Sequence, residues 1–352
     1  MIEIRQPDRA AMEAAAARWN RIAKPLHSLG VLEEDMIRIA GMTGSPDIDL
    51  GKKAVVIMCA DNGVVEEGIS QTGQEVTAAV TRNFTTGNSC VCIMAERAGA
   101  EVIPVDVGVA ERLEGCGHVY PLRSCRIMDG TRNFAREEAM TEAEARAAIQ
   151  VGIDQVRRLK ERDVRIIATG EMGIGNTTTS SAVASVLLGK EPSAVTGRGA
   201  GLSDEGLKRK VQVIEKAIAR HRPDWQDPVD VLKKVGGLDI AGLAGVFLGG
   251  AAFGIPVVVD GFISAVAALA AERMRPGCTA FMLASHVSAE PAGEMLLEAL
   301  GLKPVIRAGM CLGEGTGAVA ALPLFQMAAD VYGRMSTFEE NEIEEYQEFS
   351  HA

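Results

Sequence analysis

At 352 residues the chain is long enough for a large buried core and for two domains. Its 47 acidic side chains against 36 basic ones give a formal charge of -11, which argues against nucleic acid as a partner, because such binding leans on Lys and Arg neutralising phosphates. Seven cysteines with no C-x-x-C spacing argue against a disulfide framework or a zinc site, so a reduced, cytoplasmic protein without a signal peptide is expected.

In chain order, residues 8–24 have Ala-rich helical spacing. The apolar run 54–60 reads as a buried strand, followed by a polar loop through Gln74 and a helical stretch over 76–98. Residues 101–107 form the next strand. Residues 141–160 form an amphipathic helix whose Thr141 and Glu144 have capping-box spacing. A strand over 164–168 leads into a glycine-rich turn and then a helix rich in Ala, Ser and Thr. Further helices are predicted over 203–221, 239–252, 262–273, 291–300 and 315–330, with strands over 257–259, 279–284 and 304–307.

One stretch, 240–259, is uncharged for 20 residues and long enough to span a bilayer. Five glycines and Pro256 interrupt it, so a buried helix, a turn and a short strand fit better, and no membrane partner is expected. Strands alternating with helices predict an α/β fold, a doubly wound parallel sheet with helices on both faces. Ligands of such sheets sit beyond the carboxyl ends of the strands, where this sequence places Asp61-Asn62-Gly63, Gly170-Glu171, Asp260-Gly261, Ser285-His286 and Gly313-Glu314. The N-terminal helix and the region after about residue 330 lack strand partners and are expected to pack together as a small helical domain (1–29 plus 331–352) beside a large α/β domain (30–330) that carries the site. The last segment, 339–348, holds six carboxylates and is expected to be a solvated helix or frayed tail.

The most informative string is Ile167-Ala-Thr-Gly-Glu-Met-Gly-Ile-Gly-Asn-Thr-Thr-Thr179. Strand, glycine turn and helix start together expose N–H groups to an anion. Gly170 and Gly175 nearly spell a P-loop, but Asn176 stands where that motif needs Lys, which favours a phosphomonoester over a triphosphate. A turn whose glycines only close a corner is the other reading. In Gly309-Met-Cys-Leu-Gly-Glu-Gly-Thr-Gly317, Glu314 lies between glycines at a helix start. Apolar surroundings supplied by Met310 and Leu312 would raise its pKa toward that of a general base; equally, it could serve as a helix cap.

Other motifs are weaker. Ser285 and His286 are adjacent but make no triad, and no G-x-S-x-G elbow occurs, so His286 reads as a structural histidine. Thr196-Gly-Arg-Gly-Ala-Gly201 leads into a helix carrying Lys208, Arg209 and Lys210, cations that either neutralise a phosphate or are simply solvated. No acidic pair precedes a phosphate-type loop, so magnesium-assisted use of phosphoribosyl pyrophosphate is not expected.

Six separate strings, in order, resemble the nicotinate-nucleotide–dimethylbenzimidazole phosphoribosyltransferase family over roughly residues 10–335. They are Ala60-Asp-Asn-Gly-Val-Val-x-x-Gly-Ile-Ser70, Gly170-Glu-Met-Gly-Ile-Gly-Asn-Thr-Thr178, Gly197-Arg-Gly-x-Gly201 with Asp204-Glu205, Asp260-Gly-Phe262, Ser285-His-x-Ser-Ala-Glu-Pro291 and Leu312-Gly-Glu-Gly-Thr-Gly317.

The resemblance implies a Rossmann-like sheet with a small domain from both termini, a homodimer, and transfer of a 5-phosphoribosyl group from nicotinate mononucleotide to an aromatic base in cobalamin lower-ligand assembly, with no cofactor or metal. It implies that Glu314 is the catalytic base and that the phosphate lies on the amides of Gly173, Gly175, Asn176 and Thr177, closed by Lys210 and the Ser288-Ala289-Glu290 turn. Glu171 would lie near the ribose or base, and the acceptor among Ser70, Gln71, Val76, Met172, Leu312 and Gly313. Asn62 stands where many relatives have His, and Cys311 where a basic residue is expected, which leaves adenine and phenolic acceptors open beside benzimidazoles. Two other readings are a dinucleotide-dependent oxidoreductase, which fails because Thr178 takes the third glycine position, and a non-catalytic nucleotide-binding subunit.

Overall fold

The computed structural model describes residues 2–347. Seven strands, β1 (Lys53–Ala60), β2 (Ala100–Gly108), β3 (Arg123–Ser124), β4 (Ile166–Met172), β5 (Val257–Val259), β6 (Met282–His286) and β7 (Pro304–Ile306), form one sheet in the order β3-β2-β1-β4-β5-β6-β7. Every neighbouring pair is parallel. Helices α1 (Arg9–Arg21) and α2 (Val31–Thr43) precede it. Helices α3 (Glu75–Thr86) and α4 (Cys90–Ala98) join β1 to β2, and α5 (Glu142–Glu161) leads into β4. Between β4 and β5 lie α6 (Asn176–Leu188), α7 (Pro192–Val195), α8 (Asp204–His221), α9 (Pro228–Val235) and α10 (Leu238–Phe253). Helix α11 (Phe262–Met274) joins β5 to β6, α12 (Gly293–Leu300) joins β6 to β7, and α13 (Thr316–Arg334) follows β7. The direction of winding reverses between β1 and β4, so the crevice beyond their carboxyl ends is where a ligand site is built.

Several elements differ from expectation. The stretch 76–98 is two helices, because Gly87 turns left-handed (φ 81°) and Ser89 caps α4 by accepting from the Cys92 N–H. Strand β4 starts later than predicted and runs on through Gly170, Glu171 and Met172, which pair with Ile57, Met58 and Cys59 of β1. Glu171 is therefore fixed on the sheet rather than on the turn. Residues 278–281 are a 3₁₀ turn before β6, and α2, α7, α9 and β3 were not expected. The acidic segment after Phe338 forms a turn and then irregular chain rather than a helix, and Glu348 lies outside the described residues.

The long uncharged stretch is explained by packing. Its first part is α10, only 16 residues long, and Gly254 (φ 68°) ends it in a left-handed cap before β5. No helix among the described residues is long and apolar enough to cross a membrane. The glycines of α10 lie against α5 at backbone distance: a Cβ on Gly245 would overlap the Ile149 carbonyl, and one on Gly152 would overlap that of Gly242. Away from this crossing, α1 meets α13. Trp19 of α1 packs edge-on against Tyr332 of α13 at 5.2 Å, and Arg18 Nε donates to the Tyr332 carbonyl at 2.7 Å. Helix α13 crosses position 330 unbroken, and Trp19 and Tyr332 join the same continuous core as the strands.

This packing predicts that Gly245→Ala destabilises the fold by about 1–3 kcal/mol, as overpacking does. Gly333→Ala, in the last turn of α13 with nothing within 4 Å of the added methyl, should be neutral or slightly stabilising. Denaturant titration of both variants measures the contrast, and a Gly245→Ala protein as stable as wild type would refute the close crossing.

Candidate active site

The carboxyl ends of β4, β5 and β6, the start of α6 and the loop before α13 enclose a cavity of about 340 Å³. The glycine loop 173–175 is shaped from below. Gly173 sits where a side chain would overlap the Ala60 carbonyl, and the Ile174 N–H donates to Thr77 Oγ1 at 3.0 Å. Asn62, buried beneath the loop, donates to the Ile174 carbonyl at 3.4 Å; it braces the loop and does not line the cavity. Gly175 adopts φ 92° and starts α6. The Asn176 N–H closes the turn on the Gly173 carbonyl at 3.0 Å, so this amide, expected to face a phosphate, is already used. The N–H groups of Gly175 and Thr177 have no acceptor among the described residues. They remain at a helix N-terminus, where an anion is favoured.

Of Lys208, Arg209 and Lys210 on α8, Lys210 is the buried one. Its Nζ donates to Thr177 Oγ1 at 2.8 Å and to the Gly197 carbonyl at 3.1 Å, directly behind the start of α6. Burial pushes its pKa down to about 8, opposed by the Glu290 carboxylate. Gly197 leaves the space that Glu290 occupies. Ser288 and Glu290 line the cavity, and the Ser288 hydroxyl accepts from the Glu290 N–H at 3.3 Å. Ala289 is exposed and instead ties this turn to the Met310 carbonyl at 3.1 Å. Ser70 and Gln71 also stand outside the lining. Gln71 Nε2 donates to the Gly201 and Ala200 carbonyls and so joins two loops near the mouth. Val76, Met172 and Gly313 do line the cavity, as do Cys311 and Leu312. Leu312 is 58 % exposed, so it does not bury Glu314 as expected.

Glu314 lies between Gly313 and Gly315 and is itself left-handed, at φ 62°. Its carboxylate lines the cavity opposite the start of α6 and faces the Val91 N–H at the beginning of α4. Its Oε2 is buried and has no hydrogen-bond partner. Burial raises its pKa above the ordinary glutamate range and the Asp260 charge adds to that, while the Val91 N–H opposes it. Gly170 has to be glycine because the Glu314 carbonyl packs directly onto it.

Three buried acids meet here: Glu171 and Asp260 line the cavity, and Asp239, which the sequence did not single out, stands behind it. Asn176 Nδ2 donates to Glu171 and, at 3.2 Å, to Asp239 Oδ2 at the start of α10. Burial raises Glu171 to about 8, with the Asp239 and Asp260 charges adding to it, and raises Asp239 to about 7. Asp260 lines the cavity beside His286. The signal for Asp239 was a single carboxylate opening an otherwise wholly apolar helix. Ser285 is fully buried and its hydroxyl donates to the Val259 carbonyl at 2.6 Å, which makes it a brace between strand ends and not a nucleophile.

Raised carboxyl pKa values carry a stability consequence. In the folded chain Glu171 and Asp239 hold protons that the unfolded chain has already released above about pH 5. Their contribution is complete below the ordinary carboxylate range and is lost as pH rises through 7 to 8. Asp35, raised to about 7 by burial, acts in the same sense. Thermal melts between pH 5.5 and 8 should show Tm falling by a few degrees, and Asp239→Asn should flatten the slope; a Tm that climbs over this range contradicts the assignment.

A phosphoribosyltransferase family model matches residues 4–343 of the chain. The nicotinate-nucleotide–dimethylbenzimidazole phosphoribosyltransferase of Acetivibrio thermocellus is 50 % identical over 336 residues, which cover 96 % of this chain and 95 % of that protein. The enzyme of the same name from Ruminiclostridium cellulolyticum is 47 % identical over 335 residues, covering 95 % and 94 %. Among solved structures, CobT from Thermus thermophilus superposes with a TM-score of 0.90 at 40 % identity, covering 95 % of this chain and 99 % of that one. The chain belongs to the nicotinate-nucleotide–dimethylbenzimidazole phosphoribosyltransferase family.

Proposed function

We propose that this enzyme moves the 5-phosphoribosyl group from nicotinate mononucleotide to dimethylbenzimidazole or a related lower-ligand base, giving α-ribazole phosphate and nicotinate for the nucleotide loop of cobalamin. The observation that carries this reading at the site is Glu314, whose buried Oε2 is unpartnered on a cavity lined on its other side by the start of α6.

The phosphate binds at the free N–H groups of Gly175 and Thr177, with the Lys210 ammonium behind Thr177 supplying positive charge. Glu171, protonated at neutral pH, donates a hydrogen bond to the ribose instead of repelling the phosphate. The acceptor ring lies against Val76, Met172 and Leu312. One ring nitrogen attacks the anomeric carbon as the bond to the nicotinate nitrogen breaks, and that bond's electron pair neutralises the pyridinium. Glu314 takes the proton from the other ring nitrogen. Attack from the face opposite the leaving group inverts the anomeric centre. A single base suffices because the leaving group departs as a neutral pyridine ring, and removal of the N–H proton as charge builds contributes roughly 10²–10⁴-fold.

The chain acts in the cytoplasm as a homodimer. The exposed apolar side chains Ile93 on α4 and Leu312 at the cavity mouth support a partner subunit near the site.

Incubation with nicotinate mononucleotide and a panel of benzimidazoles, adenine and phenols, read by mass spectrometry, identifies the reaction and its acceptor. Glu314→Gln should lower kcat by about 10²–10⁴-fold while nucleotide affinity stays within about threefold. In the wild type, kcat should fall on the acid side at a pH above the ordinary glutamate range, since the base must be unprotonated. A Glu314→Gln enzyme with normal turnover removes the base assignment. Sedimentation at assay concentrations should give twice the chain mass, and a monomer of full activity would exclude the dimer.

A further inference from the structure

Beneath the Glu314 turn lies a buried polar knot with no part in the transfer steps described above. Asp260, just past the end of β5 and 3 % exposed, commits both carboxylate oxygens to main-chain donors of the turn that follows Glu314. Oδ2 accepts from the Gly315 N–H at 3.2 Å and Oδ1 from the Ala318 N–H at 2.8 Å. The aspartate is held in turn. Its own N–H donates to Ser264 Oγ at 3.2 Å, its carbonyl accepts from Ser285 Oγ at 3.2 Å, and Ser264 Oγ meets Thr169 Oγ1 at 2.7 Å. His286 closes the knot from β6: its Nδ1 lies 3.0 Å from Ser285 Oγ, and its ring fills the space that a side chain at position 317 would need.

This arrangement answers a specific problem. Glu314 has a left-handed backbone that a residue with a Cβ adopts only when its surroundings hold it there. The glycines on both sides of it supply no side chain to fix the loop. A negative charge beneath the first N–H groups of α13 does so, since those groups have no partner within the helix.

We propose that Asp260 is a positioning residue for the transfer reaction: it pins the first turn of α13 so that Glu314 is presented to the cavity in its left-handed conformation, with His286 bracing the same turn. This rests on the reading of Glu314 as the base. The charged and titratable groups around the pair are few. Glu314 meets Asp260, the Glu171 carboxyl, which faces its N–H, and Cys92 of α4. Asp260 meets His286 from β6 and Glu171 from β4.

The test is steady-state kinetics of the full chain with nicotinate mononucleotide and dimethylbenzimidazole, comparing wild type, Asp260→Asn, Asp260→Ala and Glu314→Gln. Loosening the turn should lower kcat about tenfold in Asp260→Asn and about a hundredfold in Asp260→Ala, with KM for the nucleotide within about threefold, because the phosphate site on α6 is untouched. The acid limb of kcat in Asp260→Asn should move to lower pH, as the charge that opposes ionisation of Glu314 is gone. Where Asp260→Ala yields no folded protein, the isosteric Asp260→Asn decides alone. A folded Asp260→Asn enzyme with wild-type kcat and an unmoved acid limb overturns the positioning role, as does a loss carried by KM. A wild-type chain without transfer activity overturns the parent reading, and the positioning role with it.

Discussion

The site depends on one contact more than on any other, that of the Glu171 carboxyl between two glycine loops. It accepts from Asn176 on one side and lies against Gly313 and the Glu314 N–H on the other. The loop proposed for the phosphate and the loop proposed for the base come from chain segments about 140 residues apart, and this buried acid sets their separation. Its environment explains why it can do so. A charged carboxylate among Asp239 and Asp260 would be costly, so burial keeps the proton on near neutrality. A neutral acid is a compact two-sided hydrogen-bonding spacer that would add no repulsion toward the proposed phosphate.

The same restraint governs the cation. Lys210 is paired to Thr177 and the Gly197 carbonyl, and its charge stands behind the loop instead of within the cavity. On the proposed reading a phosphate meets N–H groups first and the ammonium second, and the lysine adds attraction without competing for position. Among the residues that line the cavity there is no Lys or Arg at all, which suits a reaction whose charge develops on a ring nitrogen near a lone base.

Much of this was legible in the sequence because its signals are local. The alternation of apolar runs with helical patterns led to the parallel sheet, the capping box at Thr141 fixed the start of α5, and the glycines of the 173–175 turn and those flanking Glu314 marked loops where side chains are excluded. What stayed hidden is non-local. The continuation of β4 through Glu171 depends on pairing with β1, which no window of sequence contains. The break at Gly87 was by contrast local, since Thr85, Thr86, Asn88 and Ser89 around it are poor helix formers, a signal outweighed by the apolar spacing over 76–98. Asp239 carried no local signal of its partner, the Asn176 amide brought in from a distant element, and the hold of Asp260 on the Gly315 and Ala318 N–H groups was equally out of reach. Likewise, no local pattern shows that Gln71 ties two loops together near the mouth, while Ser70 only accepts from the Thr72 N–H.

The crossing of α5 and α10 has a mechanical corollary. Helix α10 begins with Asp239, which holds the cavity-lining Asn176 from behind, and its glycines press its backbone onto that of α5 with no side chains between to act as a cushion. A support seated in this way cannot sink or tilt to admit a substrate. Adjustment to a substrate falls instead to the 197–201 and 309–313 loops, which line the cavity through the exposed residues Ala200, Cys311 and Leu312.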